Sequence, residues 1–140
     1  MSGLNAFLSQ NAIQMENEKH VISDRFKDEN GKTIPWEIRY MTESESSSIR
    51  KQFTKKIKNK NGTITTDTDI EGYIARVVVE CIIHPNLKDA KLQESYGVMG
   101  AESLAKKMLK TGEYSKLVEI VQEVNGFDED MNEIVDKAKN

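Results

Sequence analysis

The strongest pattern of hydrophobic and polar positions in the chain is helical and lies within residues 68–83. Apolar side chains recur there three and four residues apart, which places them along one face of a helix. These side chains are Ile70, Tyr73, Ile74, Val77, Val78, Cys81 and Ile82. Pro85 ends the pattern, because the residue before a proline resists the helical conformation. We therefore predict a buried central helix, with Thr66 or Thr68 as the residue that caps its start.

Weaker helical patterns predict four further helices, at residues 43–58, 100–110, 113–124 and 128–138. The first of them begins at a capping box formed by Thr42 and Glu45. Its apolar stripe is thin, because only Ile49, Phe53 and Ile57 recur at four-residue spacing on one face. Each helix must bury its stripe against another element, which predicts a helical bundle.

Residues 20–40 show a different pattern, which predicts a β-hairpin. Asn30-Gly31 supplies the turn, because a tight hairpin turn needs residues that accept a positive φ. The second strand alternates, with an apolar face of Ile34, Trp36, Ile38 and Tyr40. An isolated hairpin is marginal in water, so this face must pack on the helices. Residues 59–66 are predicted to form a loop, although Asn61-Gly62 would equally serve as the turn of a second, smaller hairpin.

Together these elements predict an α+β fold, mainly α, in which an N-terminal β-hairpin packs on a bundle of about five helices. The length of 140 residues predicts a single compact domain over residues 19–140. Residues 1–18 are polar with a few apolar side chains, and we expect them to form a partly flexible N-terminal arm. Hydrophobic residues make up only 37% of the chain, which predicts a modest core.

Charge, cysteine content and hydropathy limit the partners and the cellular compartment that we expect for the protein. The net charge of -3 gives the whole chain no electrostatic attraction to nucleic acid or to an acidic membrane. Cys81 is the single cysteine, so no intramolecular disulfide can form and a reducing compartment is expected. No basic segment precedes a long apolar run, as a signal peptide would require, and no apolar run is long enough to span a bilayer. We expect a cytoplasmic protein with no membrane partner.

The catalytic and metal-binding patterns in the chain are incomplete. Residues 67–72 match the first half of a calcium loop, but Val78 stands where a bidentate carboxylate is required. The glycines before the helix at 100–110 are not followed by the lysine and hydroxyl residue of a phosphate loop. His20 and His84 are distant in sequence, and neither has a partner at ligand spacing. The sequence therefore predicts no catalytic residues, no cofactor and no metal.

The stretch that begins at Arg50 and ends at Lys60 is strongly basic and could bind phosphate groups. Its one aromatic residue, Phe53, lies in the apolar stripe and offers no platform for base stacking. A solvated helix face, with its cations toward the C-terminal end of the helix, explains the cluster equally well. Nucleic acid is therefore not the expected partner.

Several short segments along nearly the whole chain are similar to those of one protein family. They are Asn5-Ala6-Phe7-Leu8, residues 26–32, Trp36-Glu37-Ile38, Pro85-Asn86-Leu87, residues 92–102 and Asn125-Gly126-Phe127-Asp128. In these segments, which occur in order and at natural spacing, the chain resembles the XkdN-like tail assembly chaperones of tailed phages and of defective prophages of Bacillus and its relatives. Residues 96–102 are the most specific part of the resemblance.

The resemblance implies a non-enzymatic assembly factor that needs no cofactor. Chaperones of this family keep the aggregation-prone tape measure protein soluble, and they are displaced when the tail tube protein, a second candidate partner, polymerises around it. The resemblance thus implies action in the host bacterial cytoplasm and absence from the mature virion. It carries no catalytic residue and no fixed motif for partner contacts.

A partner-binding surface must therefore be predicted from apolar side chains that a reversible chaperone can expose. The candidates lie in the N-terminal arm and in the connector before the helix at residues 100–110. They are Leu4, Phe7, Leu8, Tyr96, Val98 and Met99. The alternative is that Tyr96 and Met99 close the core between helices.

Two other functions are compatible with the sequence. A structural tail protein, such as a completion or tube component, would remain in the finished particle. A nucleic-acid-binding module would use the basic helix that contains Arg50 and Lys60. The sequence also leaves open whether the chain forms a homo-oligomer.

Overall fold

In the computed structural model, which describes residues 3–127, the central helix predicted from the apolar pattern is α2 (Ile70–Cys81). Its cap is Asp69, whose carboxylate accepts a 3.0 Å hydrogen bond from a backbone N–H in the first turn of the helix. The prediction of a threonine cap was wrong, because Thr66 and Thr68 lie in a β-strand that ends just before the helix.

Four further helices lie in the described residues, namely α1 (Glu43–Gln52), α3 (Ala90–Ser95), α4 (Ala101–Met108) and α5 (Thr111–Val124). The last two lie close to the helices predicted at residues 100–110 and 113–124. The sequence did not predict α3, because its 6 residues are too few to show a helical period. The helix predicted at residues 128–138 lies outside the described residues.

The helix predicted at residues 43–58 was wrong in its second half. α1 begins after the predicted cap, Thr42, and ends at Gln52. The chain then forms strand β3 (Thr54–Lys58), which pairs antiparallel with strand β4 (Ile64–Thr68). The β-branched residues of β4 and the Asn-Gly turn favour this pairing over a longer helix. The second hairpin, which the sequence offered as an alternative to a loop, is therefore present.

A three-stranded antiparallel sheet contains the N-terminal hairpin. Its strands are β1 (Glu18–His20), β2 (Trp36–Ile38) and β5 (Ile82–His84), in the order β1-β2-β5. The prediction of an N-terminal hairpin is confirmed, but its first strand ends at His20, where the prediction placed its start, and its second strand is shorter than the alternation predicted. Asn30-Gly31 turns a smaller loop inside it, where the Asp28 carboxylate accepts hydrogen bonds from the backbone N–H groups of Asn30 and Lys32.

Strand β5 takes the last residues of the helix predicted at 68–83. The helix ends at Cys81, and Ile82 already pairs with Ile38 of β2. β-Branched residues fit a strand better than a helix end, and the proline that follows prevents the helix from continuing. The sheet is thereby joined to α2 without a loop.

The core of the described residues lies between this sheet and helices α2, α4 and α5. Trp36 and Ile38 project into it from β2, as the alternation predicted. The helices contribute Val78, Cys81, Leu104, Ala105, Leu117 and Val121. Burial of a large apolar side chain stabilises a fold by about 1.5–3 kcal/mol. The hairpin and the helices therefore depend on one shared hydrophobic cluster.

An arginine in the loop of the N-terminal hairpin fastens that hairpin to α5. The Arg25 guanidinium forms an ion pair with the Glu113 carboxylate and donates a 2.9 Å hydrogen bond to the carbonyl of Met108. Glu113 also accepts a 2.8 Å hydrogen bond from the backbone N–H of Lys110. The hydrogen bond from Arg25, followed by those from Ser23 and Lys110, lowers the pKa of Glu113 from 4.5 to about 2.

This ion pair predicts that part of the stability is lost in acid. A carboxylate whose pKa is lowered by folding stabilises the folded state fully above its ordinary pKa of 4.5, and it loses that contribution as the pH falls toward 2. We expect Glu113→Gln to lower the free energy of unfolding at neutral pH. Denaturant titrations of both proteins should show this difference shrinking between pH 4.5 and about pH 2. A difference that stays constant with pH would contradict the role of the ion pair.

Close packing at Gly72 gives a second stability prediction. An added Cβ there would lie 2.8 Å from ring carbons of Phe53 and 2.5 Å from the carboxylate of Asp69. Alanine in a helix is favoured over glycine by up to about 1 kcal/mol, but overpacking costs about 1–3 kcal/mol. We expect Gly72→Ala to lower the free energy of unfolding. The control is Gly112→Ala in α5, where nothing lies within 4 Å and stability should stay equal or rise. An equal rise in the free energy of unfolding in both variants would contradict close packing at Gly72.

Candidate partner-binding surface

The N-terminal arm, here residues 3–17, keeps its apolar side chains in solvent. Residues Gly3–Phe7 form a 3-10 turn, and no residue of the arm is buried. Leu4 is 79% exposed and Phe7 83%, whereas Leu8 is partly covered at 39%. The turn is held by the arm itself, since the amide of Asn11 donates a 2.7 Å hydrogen bond to the carbonyl of Asn5. The arm is therefore a polar segment with a defined turn, and its apolar side chains do not belong to the core.

Two further apolar residues extend this exposed segment. Ile13 and Met15 are both exposed, although they lie in a stretch that is rich in Asn and Gln. They were not among the predicted contact residues. The signal that could have found them is their apolar character in a segment with no helical or strand period, which gives them no element on which to be buried.

The connector between β5 and α4 is held by one glutamine. The side chain of Gln93, in α3, donates a 2.9 Å hydrogen bond to the carbonyl of Leu87 and accepts a 3.0 Å hydrogen bond from the backbone N–H of Gly100. Leu87 is buried in the core. Asp89 caps α3 by accepting the N–H of Leu92 at 2.8 Å. The connector thus has a defined shape and is fixed to the core at its start.

The three candidate residues of the connector have different surroundings. Tyr96 and Val98 are half-buried and pack against the core, while Met99 is 91% exposed. Gly97 and Gly100 flank this turn with φ of 67° and 96°, a conformation that residues with a Cβ rarely adopt. Tyr96 therefore packs on the core, as the alternative interpretation had it, whereas Met99 does not close the core.

A surface cavity of about 340 Å³ lies beside Met99. Its lining includes Ala90, Gln93 and Val98 as well as Met99 itself. Among the described residues no hydrogen bond or ion pair joins this cavity to the arm. The six candidate residues therefore lie on two segments, the arm and the connector, and the lining of this cavity includes no residue of the arm.

The basic cluster is not the helix face that the sequence predicted. Arg50 lies in the last turn of α1. Its guanidinium is 5.4 Å from the ring centroid of Tyr73 and 3.7 Å from the carboxylate of Glu43. Its hydrogen bond to the Tyr73 hydroxyl is the main cause that raises the pKa of Arg50. Lys55 and Lys56 lie instead on strand β3. The cations therefore belong to two elements, and the hypothesis of a basic helix was wrong.

The described residues offer no further candidate for chemistry. Residues 3–127 contain no group of three or more His, Cys, Asp or Glu side chains that could hold a metal ion. Burial raises the pKa of the Cys81 thiol, which therefore lacks the thiolate character of a nucleophile. In the same part of the chain, no helix is long and apolar enough to cross a membrane.

Comparison with known proteins places these features in a family. Residues 4–139 match the family model of the phage XkdN-like tail assembly chaperone protein. Two proteins of Bacillus subtilis strain 168, the uncharacterized protein YqbN and the phage-like element PBSX protein XkdN, are each 30% identical to this chain over 138 residues. Each alignment covers 98% of this chain and 93% of the relative.

A solved structure agrees with the sequence comparison. The crystal structure of the protein YqbN superposes with a TM-score of 0.76 at 27% sequence identity, covering 91% of this chain and 99% of that one. The resemblance found in the short sequence segments is thereby confirmed. Because the family model spans residues 4–139, the chain belongs to the family of phage XkdN-like tail assembly chaperones.

Proposed function

We propose that this chaperone binds the tape measure protein during tail assembly and keeps it soluble until the tail tube forms. The observation that carries the proposal is the N-terminal arm, where Leu4 and Phe7 are almost fully exposed. Large apolar side chains that a protein leaves in solvent mark a surface for a partner. The arm supplies the anchors of this binding role, and Met99 supplies a second contact.

The binding free energy that these side chains can contribute is small enough for a reversible contact. Full burial of a Leu or Phe side chain contributes about 1.5–3 kcal/mol, and ordering the arm offsets part of that gain. A few such anchors hold an apolar helix weakly, so that polymerisation of the tube can displace them. Met99 adds a flexible thioether side chain, which adapts to partners of varied shape.

Co-expression with the tape measure protein of the same gene cluster tests the binding role. We expect the wild-type chain to increase the soluble fraction of that protein, and the double variant Leu4→Ala, Phe7→Ala to lose most of the effect. Loss of about 1.4 kcal/mol of contact energy weakens binding tenfold, so the double variant should bind at least about tenfold more weakly. Isothermal titration with a soluble fragment of the tape measure protein measures the change.

The matched control is Ile83→Ala, which shortens an exposed apolar side chain on β5, outside the arm and outside the lining of the cavity beside Met99. It should retain the full effect on solubility. The proposal fails if the tape measure protein precipitates equally with and without the chain. Equal performance of the double variant and the wild type would remove the arm from the contact surface.

The amount of the chain in the mature particle distinguishes a chaperone from a structural tail protein. We propose that the chain acts in the host cytoplasm and leaves before the virion is complete. Quantitative mass spectrometry of purified particles should then find the chain far below one copy per tail, while tube and tape measure proteins are present at full stoichiometry. A constant, stoichiometric amount in washed particles would favour a tail completion or tube component instead.

A further inference from the structure

The hairpin of β3 and β4 is a separate two-stranded sheet. Its base is fixed, because the hydroxyls of Thr54 and Thr68 lie 2.8 Å apart and the backbone N–H of Asp69 donates a 2.8 Å hydrogen bond to the carbonyl of Phe53. Beyond the base the side chains are exposed, and Ile64 is 65% exposed. A sheet of two strands is marginal in water unless something adds to it.

The two free edges of this hairpin differ in charge. Strand β3 carries Lys55, Lys56 and Lys58, and lysine on an edge strand is a common protection against pairing with another chain. Strand β4 has the sequence Ile-Thr-Thr-Asp-Thr, in which Asp67 is the single charge and already lies opposite Lys55. The edge of β4 is therefore the one that is open to a further strand.

The hydrogen bonds at the two ends of the hairpin determine which groups of β4 face outward. Asp69 bonds to Phe53 at one end, and the N–H of Asn59 bonds to the carbonyl of Thr63 at the other. Inward and outward groups alternate along an antiparallel strand. The backbone N–H and C=O groups that point to the open edge are thus those of Ile64, Thr66 and Thr68.

We propose that β4 pairs with β4 of a second copy of this chain, antiparallel and about a two-fold axis at Thr66. In this register Thr66 faces its own counterpart, and Ile64 faces Thr68, so every outward backbone group of one strand meets a partner on the other. Thr–Thr pairs across strands are favourable. The two hairpins become one four-stranded sheet in the order β3-β4-β4-β3.

The charges favour this arrangement over its alternative. With β4 at the centre, Thr65 faces Asp67, and no like charges stand opposite each other. The lysines of the two β3 strands lie three strand spacings apart, about 14 Å, which exceeds the screening length of about 8 Å at physiological salt. Pairing through β3 in the equivalent register would instead place Lys56 directly against Lys56.

The dimer goes beyond the proposed function and does not depend on it. A contact of two five-residue strands is small, so we expect weak, concentration-dependent association. Each dimer would carry two N-terminal arms, and two linked binding segments hold one partner more tightly than either alone.

Sedimentation equilibrium of the wild-type chain is the first test, over protein concentrations from about 1 µM to about 1 mM. We expect the mass to rise from 15.9 kDa toward twice that value. Thr66→Glu places like charges across the two-fold axis and should abolish the rise. Within the hairpin the new carboxylate faces Lys56, an opposite charge, so circular dichroism should stay unchanged. Thr66→Val keeps the β-branched shape without a charge and should still dimerise. A wild-type protein that is monomeric throughout overturns the proposal.

Disulfide trapping tests the register directly. Thr66→Cys should give a covalent dimer on mild oxidation, because facing residues of a hydrogen-bonded pair have Cα atoms about 5.5 Å apart, within disulfide range. The control is Lys56→Cys, opposite Thr66 on β3, which should stay monomeric. The native Cys81 does not interfere, since it is fully buried. A dimer that forms without cross-linking at residue 66, or that survives Thr66→Glu, would show that the chain associates through a different surface and would also overturn the proposal.

Discussion

Helix α2 passes into strand β5 without a loop, and the rest of the fold depends on how this junction satisfies its backbone groups. The last carbonyls of a helix have no partner inside the helix. Here the carbonyl of Cys81 accepts the backbone N–H of Arg39 at 2.8 Å, and the carbonyl of Glu80 accepts the Arg39 guanidinium at 2.9 Å. The same guanidinium pairs at 3.1 Å with Glu45, which closes the capping box of α1. One arginine therefore holds the sheet, α1 and α2 together, and it places the apolar face of β2 on the central helix.

A body held in this way leaves its most exposed large apolar side chains on segments that the core does not reach. The arm precedes β1 and ends in an edge strand, so its apolar side chains have no facing layer. Met99 stands between two glycines whose backbone conformation turns it away from Tyr96 and the core. Both segments are attached to fixed elements, so their apolar side chains are exposed while the core stays closed. The function argued for this chain thus depends on side chains that contribute little to its stability.

The sequence and the structure agree where a pattern is long and differ where it is short. The stripe of α2 spans more than three turns and identified the helix, and the alternation around Trp36 identified the buried strand. The stripe through Ile49, Phe53 and Ile57 offered only three positions, and the last of them lies on an exposed strand instead of a helix. Strand β1 and helix α3 are too short to show any period. The contact residues could be nominated by type, but their exposure could not be read from type alone.

By itself the sequence determined the family, the α+β class, the central helix and the packing role of Trp36, because these follow from local periodicity and from segments spread along the whole chain. Only the tertiary structure decided that Tyr96 faces the core while Met99 faces solvent, since that choice depends on the φ of Gly97 and Gly100. It also decided that the second half of the basic stretch forms a strand, while its first half ends helix α1. The physical reason is the same in both cases: neighbours that are distant in sequence, such as Thr54 and Thr68, settle the balance where local preference is nearly even.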